Sequence, residues 1–172
     1  MEKLLSFEER VSMKTQVHFI LRWPFFSLSP SWEDWLQFLE VQIEREHFLP
    51  CAFVLMGNHF HLLCQGLPQK VDWWESLGME LCFSEVIHPK YALHTYRYIF
   101  QNPLRAHLCE RVEDYAFHSL NYENLPKKLC RSIKLERAKV LPYHLQSKQA
   151  ELSWLNGKSS LYLPNSYTRI TS

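Results

Sequence analysis

The chain alternates between runs with the spacing of strands and runs with the spacing of helices, and the first clear one is a strand. Residues 15–23 are rich in β-branched and aromatic side chains and stop at Pro24, which predicts a strand covered on both faces. Ser29, Pro30 and Ser31 then supply helix-start chemistry, with Glu33 and Asp34 suited to the positive end of the dipole. Trp32, Trp35, Leu36, Leu39 and Ile43 recur at helical spacing, so one buried face extends to about Arg45. Residues 51–64 are apolar enough to read as a second, central strand. A short helix is predicted over residues 72–81, a strand over residues 83–87, and a helix from Pro89 to Gln101. Asn102-Pro103 should end that helix, because a residue before proline is pushed out of the α region.

Strand, helix, strand in this order resembles half of a split βαβ unit, compatible with an α+β domain over residues 1–122. Beyond Tyr122 the pattern loosens. Residues 127–140 read as a basic amphipathic helix, and the remainder is polar and not assigned to an element. The expected organisation is therefore a domain at 1–122 and a basic C-terminal extension at 123–172.

Charge sharpens that division. The net charge of +1 conceals ten Lys/Arg against fifteen Asp/Glu in residues 1–122 and nine against three in residues 123–172. A basic tail on an acidic domain is a pattern of nucleic-acid-binding appendages, although a solvated helix produces it too. The acidic balance of the first part also leaves room for a protein partner. Five widely spaced cysteines in apolar surroundings read as reduced thiols, which fits the cytoplasm. No apolar run is long enough to span a bilayer, so no membrane partner is expected.

The candidate chemistry sits in the central run, where His59 and His61 are one residue apart. Side chains alternate along a strand, so both imidazoles lie on one face. Two imidazoles on a rigid strand can hold a divalent metal and leave positions open for phosphate oxygens. A zinc site with Cys64 as third ligand matches no common structural spacing. Glu75 and Glu80 are the acidic candidates for a third ligand, with Glu80 preferred.

Two separated segments carry a family resemblance. Ala52-Phe53-Val54-Leu55-Met56-Gly57-Asn58-His59-Phe60-His61-Leu62-Leu63 is similar to the signature strand of the HUH single-tyrosine transposases, the insertion-sequence-200-like and REP-associated tyrosine transposases, with Gly57 where proline is usual. Tyr96-Arg97-Tyr98-Ile99-Phe100-Gln101-Asn102-Pro103-Leu104-Arg105-Ala106 resembles their Arg-Tyr-Ile-x-x-Asn-Pro-Val-Arg-Ala. Glu113-Asp114-Tyr115-Ala116-Phe117-His118-Ser119 and the opening His18-Phe19-Ile20-Leu21-Arg22 extend the likeness over residues 15–122.

The resemblance implies a ferredoxin-like sandwich, with an antiparallel sheet and helices on one face, often dimeric. It also implies recognition of single-stranded or hairpin DNA and cleavage with Mg2+ or Mn2+ and a tyrosine nucleophile. In the family, as the resemblance is drawn, that tyrosine lies between the histidine strand and the Arg-Tyr-Ile helix. Between Leu62 and Lys90 this chain has no tyrosine. The expectation is therefore a truncated catalytic-tyrosine region and a domesticated or catalytically impaired derivative. The alternative is an active nickase in which a displaced tyrosine, Tyr91 foremost and Tyr96 or Tyr98 otherwise, replaces it. A third reading is a non-catalytic regulatory or protein-interaction module. For DNA contact the candidates are Arg22, Arg97 and Arg105 in the domain and Lys127, Lys128, Arg131, Lys134 and Arg137 in the tail, with Arg97 and Arg105 equally able to act as structural caps or ion pairs.

Overall fold

The computed structural model describes residues 16–22, 31–46, 49–66, 75, 79–124, 135 and 140–157. Four strands form one antiparallel sheet: β1 (Gln16–Arg22), β2 (Leu49–Leu55), β3 (His59–Gln65) and β4 (Glu80–Ile87). Their order is β2-β3-β1-β4, the crossed order of a ferredoxin-like sheet, so the α+β expectation holds. Between β1 and β2 runs helix α1 (Trp32–Glu46), and after β4 comes α2 (Pro89–Arg105).

Residues 51–64 are two strands rather than one. Gly57-Asn58 makes a two-residue turn, closed by the Met56 N–H donating to the His59 carbonyl at 2.8 Å. Gly-Asn between two β-rich runs is itself a hairpin signal, masked here because the apolar run continues through Met56.

The described helices divide between the two faces of the sheet. Strand alternation sorts the residues. Val17, Phe19, Leu21, Phe53, Phe60 and Leu62 form one cluster with Trp32, Trp35, Leu36 and Leu39 of α1. Ala52, Val54 and Leu63 form the other with Tyr96, Ile99 and Phe100 of α2. Both faces are dry, so β2 and β3 read as continuous apolar runs instead of alternating ones.

Helix α2 starts where expected, with the His88 ring accepting from the Lys90 N–H and Pro89 in the first turn. It does not stop at Asn102. Pro103 lies inside it, and its missing N–H would leave the Ile99 carbonyl without a helical donor. Asn102 Nδ2 supplies that donor locally, 2.9 Å from the Tyr98 carbonyl and 3.4 Å from that of Ile99. The helix ends one turn later in a Schellman motif. The His107 N–H donates to Leu104 O at 3.1 Å and the Leu108 N–H to Pro103 O at 2.9 Å, with His107 left-handed at φ 57°.

The segment after α2 closes the open edge of β2. Val54 bridges His118, the Leu55 N–H donates to the Phe117 carbonyl at 2.9 Å, and the Phe53 N–H donates to Ser119 Oγ at 3.1 Å. A short helix not expected from the sequence, α3 (Lys148–Asn156), then packs on α2 with Ser147 as its N-cap. Leu141, Leu145 and Leu155 enter the same cluster as α2, so this part of the C-terminal extension is packed against the sheet domain. Most of the predicted helices over residues 72–81 and 127–140 lies outside the described residues, and Glu80 and Leu81 belong to β4.

Candidate active site

Strand β3 puts His59 and His61 on the face covered by α2, as their spacing requires, with ring centroids 5.0 Å apart. A third histidine joins them. His18 of β1 stacks on His61 with centroids 5.4 Å apart, and His18 Nε2 lies 3.2 Å from His61 Nδ1. Its signal in the sequence was present, because His18 opens the first strand of the resemblance, but cross-strand register decides which residue it meets.

Burial disfavours the charged form of all three rings. It pushes His18 down to about 3. It also pushes His61 well below the usual histidine value, with repulsion from His18 and His59 adding to the effect. His59, half-buried, is lowered by desolvation and then by the neighbouring Arg22 cation. Neutral imidazoles are what metal coordination needs.

Hydrogen bonding then selects the tautomers. Asn58 Oδ1 can only accept, and it lies 2.7 Å from His59 Nδ1, so that nitrogen carries the proton and Nε2 keeps its lone pair. His61 Nε2 is buried and meets no hydrogen-bond partner among the described residues. A proton there would be an orphaned buried donor, costing about 1–3 kcal/mol. The favoured tautomer places it on Nδ1, donated to His18 Nε2, and leaves Nε2 bare. Two lone pairs on adjacent rings, one of them unsatisfied, fit a divalent cation. Among the described residues no group of three ligands converges on them. Glu80 shares a cross-strand row with Arg22, which itself pairs His59, so Arg22 stands between Glu80 and the histidine. Glu75 is exposed. Cys64 faces α1 on the opposite side of the sheet, its thiol buried and held well above its ordinary value, which removes it as a ligand.

The tyrosine that faces this patch is Tyr98. Its ring is 5.8 Å from His61 and 6.2 Å from His18, both edge-on. Arg105, two turns along α2, lies over the Tyr98 ring at 5.3 Å. Burial raises the Tyr98 phenol, while the Arg105 cation and a hydrogen bond from the Asn102 side chain pull it partly back. Tyr91, the foremost sequence candidate, is instead 42% exposed at the start of α2, packed on His88 and Lys90. Tyr96 turns into the core and donates to Glu151. Three tyrosines on one helix were indistinguishable by composition, and only the helix phase and the packing of α2 on the sheet separate them.

The proposed phosphate contacts divide. Arg22 and Arg105 are exposed beside the histidines and Tyr98, respectively. Arg97 is buried at 5% exposure, donating to the Gly157 carbonyl at the end of α3 and stacking over Trp154 at 5.1 Å. Its guanidinium is committed to a helix end. Lys127, Lys128, Arg131, Lys134 and Arg137 lie outside the described residues.

A crossed four-stranded sandwich with a histidine pair on one strand and a tyrosine opposite is thus the class of structure in hand. Among solved structures it is similar to a REP-associated tyrosine transposase bound to a REP hairpin, with a TM-score of 0.55 and 13% identity over the whole of both chains. At that identity the likeness concerns the fold. No protein-family model matches the chain, and no curated protein matches its sequence. Among the described residues no helix is long and apolar enough to cross a membrane.

Proposed function

We propose that this protein belongs with the HUH single-tyrosine transposases, binds single-stranded or hairpin DNA and cleaves one strand using Tyr98 as nucleophile. The observation that carries the reading is the placement of Tyr98 against His61 and His18, on the face where the bare Nε2 atoms of His59 and His61 lie. It replaces the expected loss of the nucleophile with a nucleophile supplied by the Arg-Tyr-Ile helix. The fold likeness to a hairpin-bound transposase supports a DNA hairpin as the ligand.

His59 and His61 would hold Mg2+ or Mn2+, which when bound polarises the scissile phosphate. The chain's own residues do the rest. Tyr98 Oη attacks phosphorus, forming a tyrosyl phosphodiester and breaking a P–O bond to release a hydroxyl end. The phenolic proton passes through solvent to the departing oxygen. Arg105 offsets the negative charge beside the phenol, and Arg22 does so beside His59. Helix α2 fixes Tyr98 relative to the strand, so orientation is supplied before DNA arrives.

The test is capture of a covalent adduct on a labelled hairpin with a single-stranded extension, in Mn2+. Wild type should form it, Tyr98→Phe should abolish it while retaining binding, and Tyr91→Phe should leave it intact. An adduct that survives Tyr98→Phe overturns the assignment. Hairpin binding with no adduct from wild type would favour the second reading, a domesticated DNA-binding derivative, which draws on the absence of a converging third ligand among the described residues.

A further inference from the structure

Beside the turn that presents His59 lies an aromatic pocket of about 330 Å³, lined by Trp32, Leu55, Met56, Gly57, Tyr115 and Phe117. Its walls are held in place by the backbone. The Tyr115 hydroxyl donates to the Leu55 carbonyl at 2.8 Å and the Leu55 N–H to the Phe117 carbonyl at 2.9 Å, so the aromatic wall is tied to the end of β2. Phe117 stands edge-on to both Trp32 and Tyr115 at 5.8 Å, yet remains 42% exposed, which is unusual for a ring so firmly placed.

Gly57 supplies an independent observation. Its backbone does not occupy the left-handed region, and a Cβ built on it would meet nothing within 4 Å. Neither conformation nor internal packing calls for glycine there. Gly57 lines the pocket without a side chain, two residues before His59.

We propose that this pocket receives one unstacked nucleobase of the DNA strand, next to the phosphate presented to His59 and Tyr98. The inference rests on the DNA-cleaving reading given above and adds the subsite that sets the register of the strand. Three features select a base over other occupants. Aromatic walls offer stacking surfaces, which single-stranded nucleic-acid sites use regardless of sequence. The volume is at the small end for ligand sites, enough for one planar group and too little for a helix or peptide. At the rim, Ser31 Oγ is bonded to the Asp34 carboxylate at 2.7 Å, a negative charge that disfavours a phosphate within the pocket itself. Gly57 lines the pocket two residues before His59, which puts the base at the same end of the β2–β3 hairpin as that ring.

The experiment uses the full chain and a fluorescent hairpin with a single-stranded extension, in which each extension nucleotide is replaced in turn by an abasic site. Wild type should lose affinity at one abasic position. Phe117→Ala and Gly57→Leu should each weaken binding of the intact DNA by roughly 5- to 150-fold, the equivalent of the ~1–3 kcal/mol gained by stacking one base. Both variants should be insensitive to that same abasic position and should bind a hairpin without extension as wild type does. If both variants bind extended DNA as wild type does while adduct formation through Tyr98 persists, the pocket assignment fails and the cleavage reading stands. If wild type binds no hairpin at all, both fail. Gly57→Leu adds bulk on the pocket lining without a clash at its Cβ, so it tests the pocket even if Phe117→Ala perturbs the β2 edge.

Discussion

Replacing Arg97 separates two roles that a basic residue in a DNA-binding motif can have. In the structure its guanidinium donates to the Gly157 carbonyl and lies over Trp154 at 5.1 Å, with only 5% of the residue exposed. A hydrogen bond involving a charged group contributes about 1.5–3 kcal/mol, and a partly desolvated cation–π contact about 1–2 kcal/mol. The contacts share one side chain and are not additive, so Arg97→Ala should cost about 3 kcal/mol. For a chain of 172 residues, each kcal/mol shifts the midpoint by about 2–4 °C, giving a fall of about 6–12 °C. Arg97→Lys keeps the charge but loses the planar fork, and should recover less than half of this. Thermal unfolding by circular dichroism reads the midpoint, and anisotropy with hairpin DNA at two salt concentrations reads the phosphate contacts. A variant with an unchanged midpoint, weaker binding and a salt dependence reduced by about one counterion would refute the reasoning and make Arg97 a phosphate ligand.

Three further outcomes follow from the same packing. Acid should destabilise the metal-free protein: the folded state holds His18 near 3 and lowers His61 and His118, so the unfolded chain binds more protons below 6.5. The stability is complete above pH 6.5 and declines as pH falls; His18 alone should lose about 2 kcal/mol by pH 5, and urea midpoints independent of pH between 7 and 5 would contradict this. Asn102→Ala should cost about 1–2 kcal/mol and slow adduct formation more than it weakens binding, because it strips the donor that bridges the Pro103 gap one turn from Tyr98; equal rates in single-turnover assays would argue against that coupling. His107→Gly should stabilise the protein by about 1 kcal/mol, since a left-handed residue with a Cβ is strained at the end of α2, and an unchanged urea midpoint would show the strain to be absent.

How much of this was legible beforehand depended on whether the information was local. Helix α1 could be read because Trp32, Trp35, Leu36 and Leu39 repeat at its own period, and all four are buried. The shared face of His59 and His61 followed from strand alternation alone. Helix α3 could not be read, since its burial rests on Glu151 and Leu155 meeting α2, and a nine-residue helix has no strong period of its own. Asn102-Pro103 misled for a related reason, because a side chain repaired the break that the proline makes. Tyr98 was hidden by tertiary phase: Tyr91 lies two turns before it on the same helix, but only Tyr98 lies where α2 crosses the histidines. His18 needed the β1–β3 pairing to reveal its partner.

The clasp between α2 and α3 also imposes an order on biosynthesis. Tyr96 meets Glu151, Arg97 reaches Gly157, and Gln101 Nε2 donates to the Leu155 carbonyl at 2.7 Å, so both sides of the Tyr98 position are fastened by residues made some fifty or more positions later. A nascent chain that has left the ribosome only as far as Tyr122 carries the histidines and the tyrosine but has none of these fastenings. Until Gly157 has been translated, the full set of contacts that fastens α2 on both sides of Tyr98 cannot form.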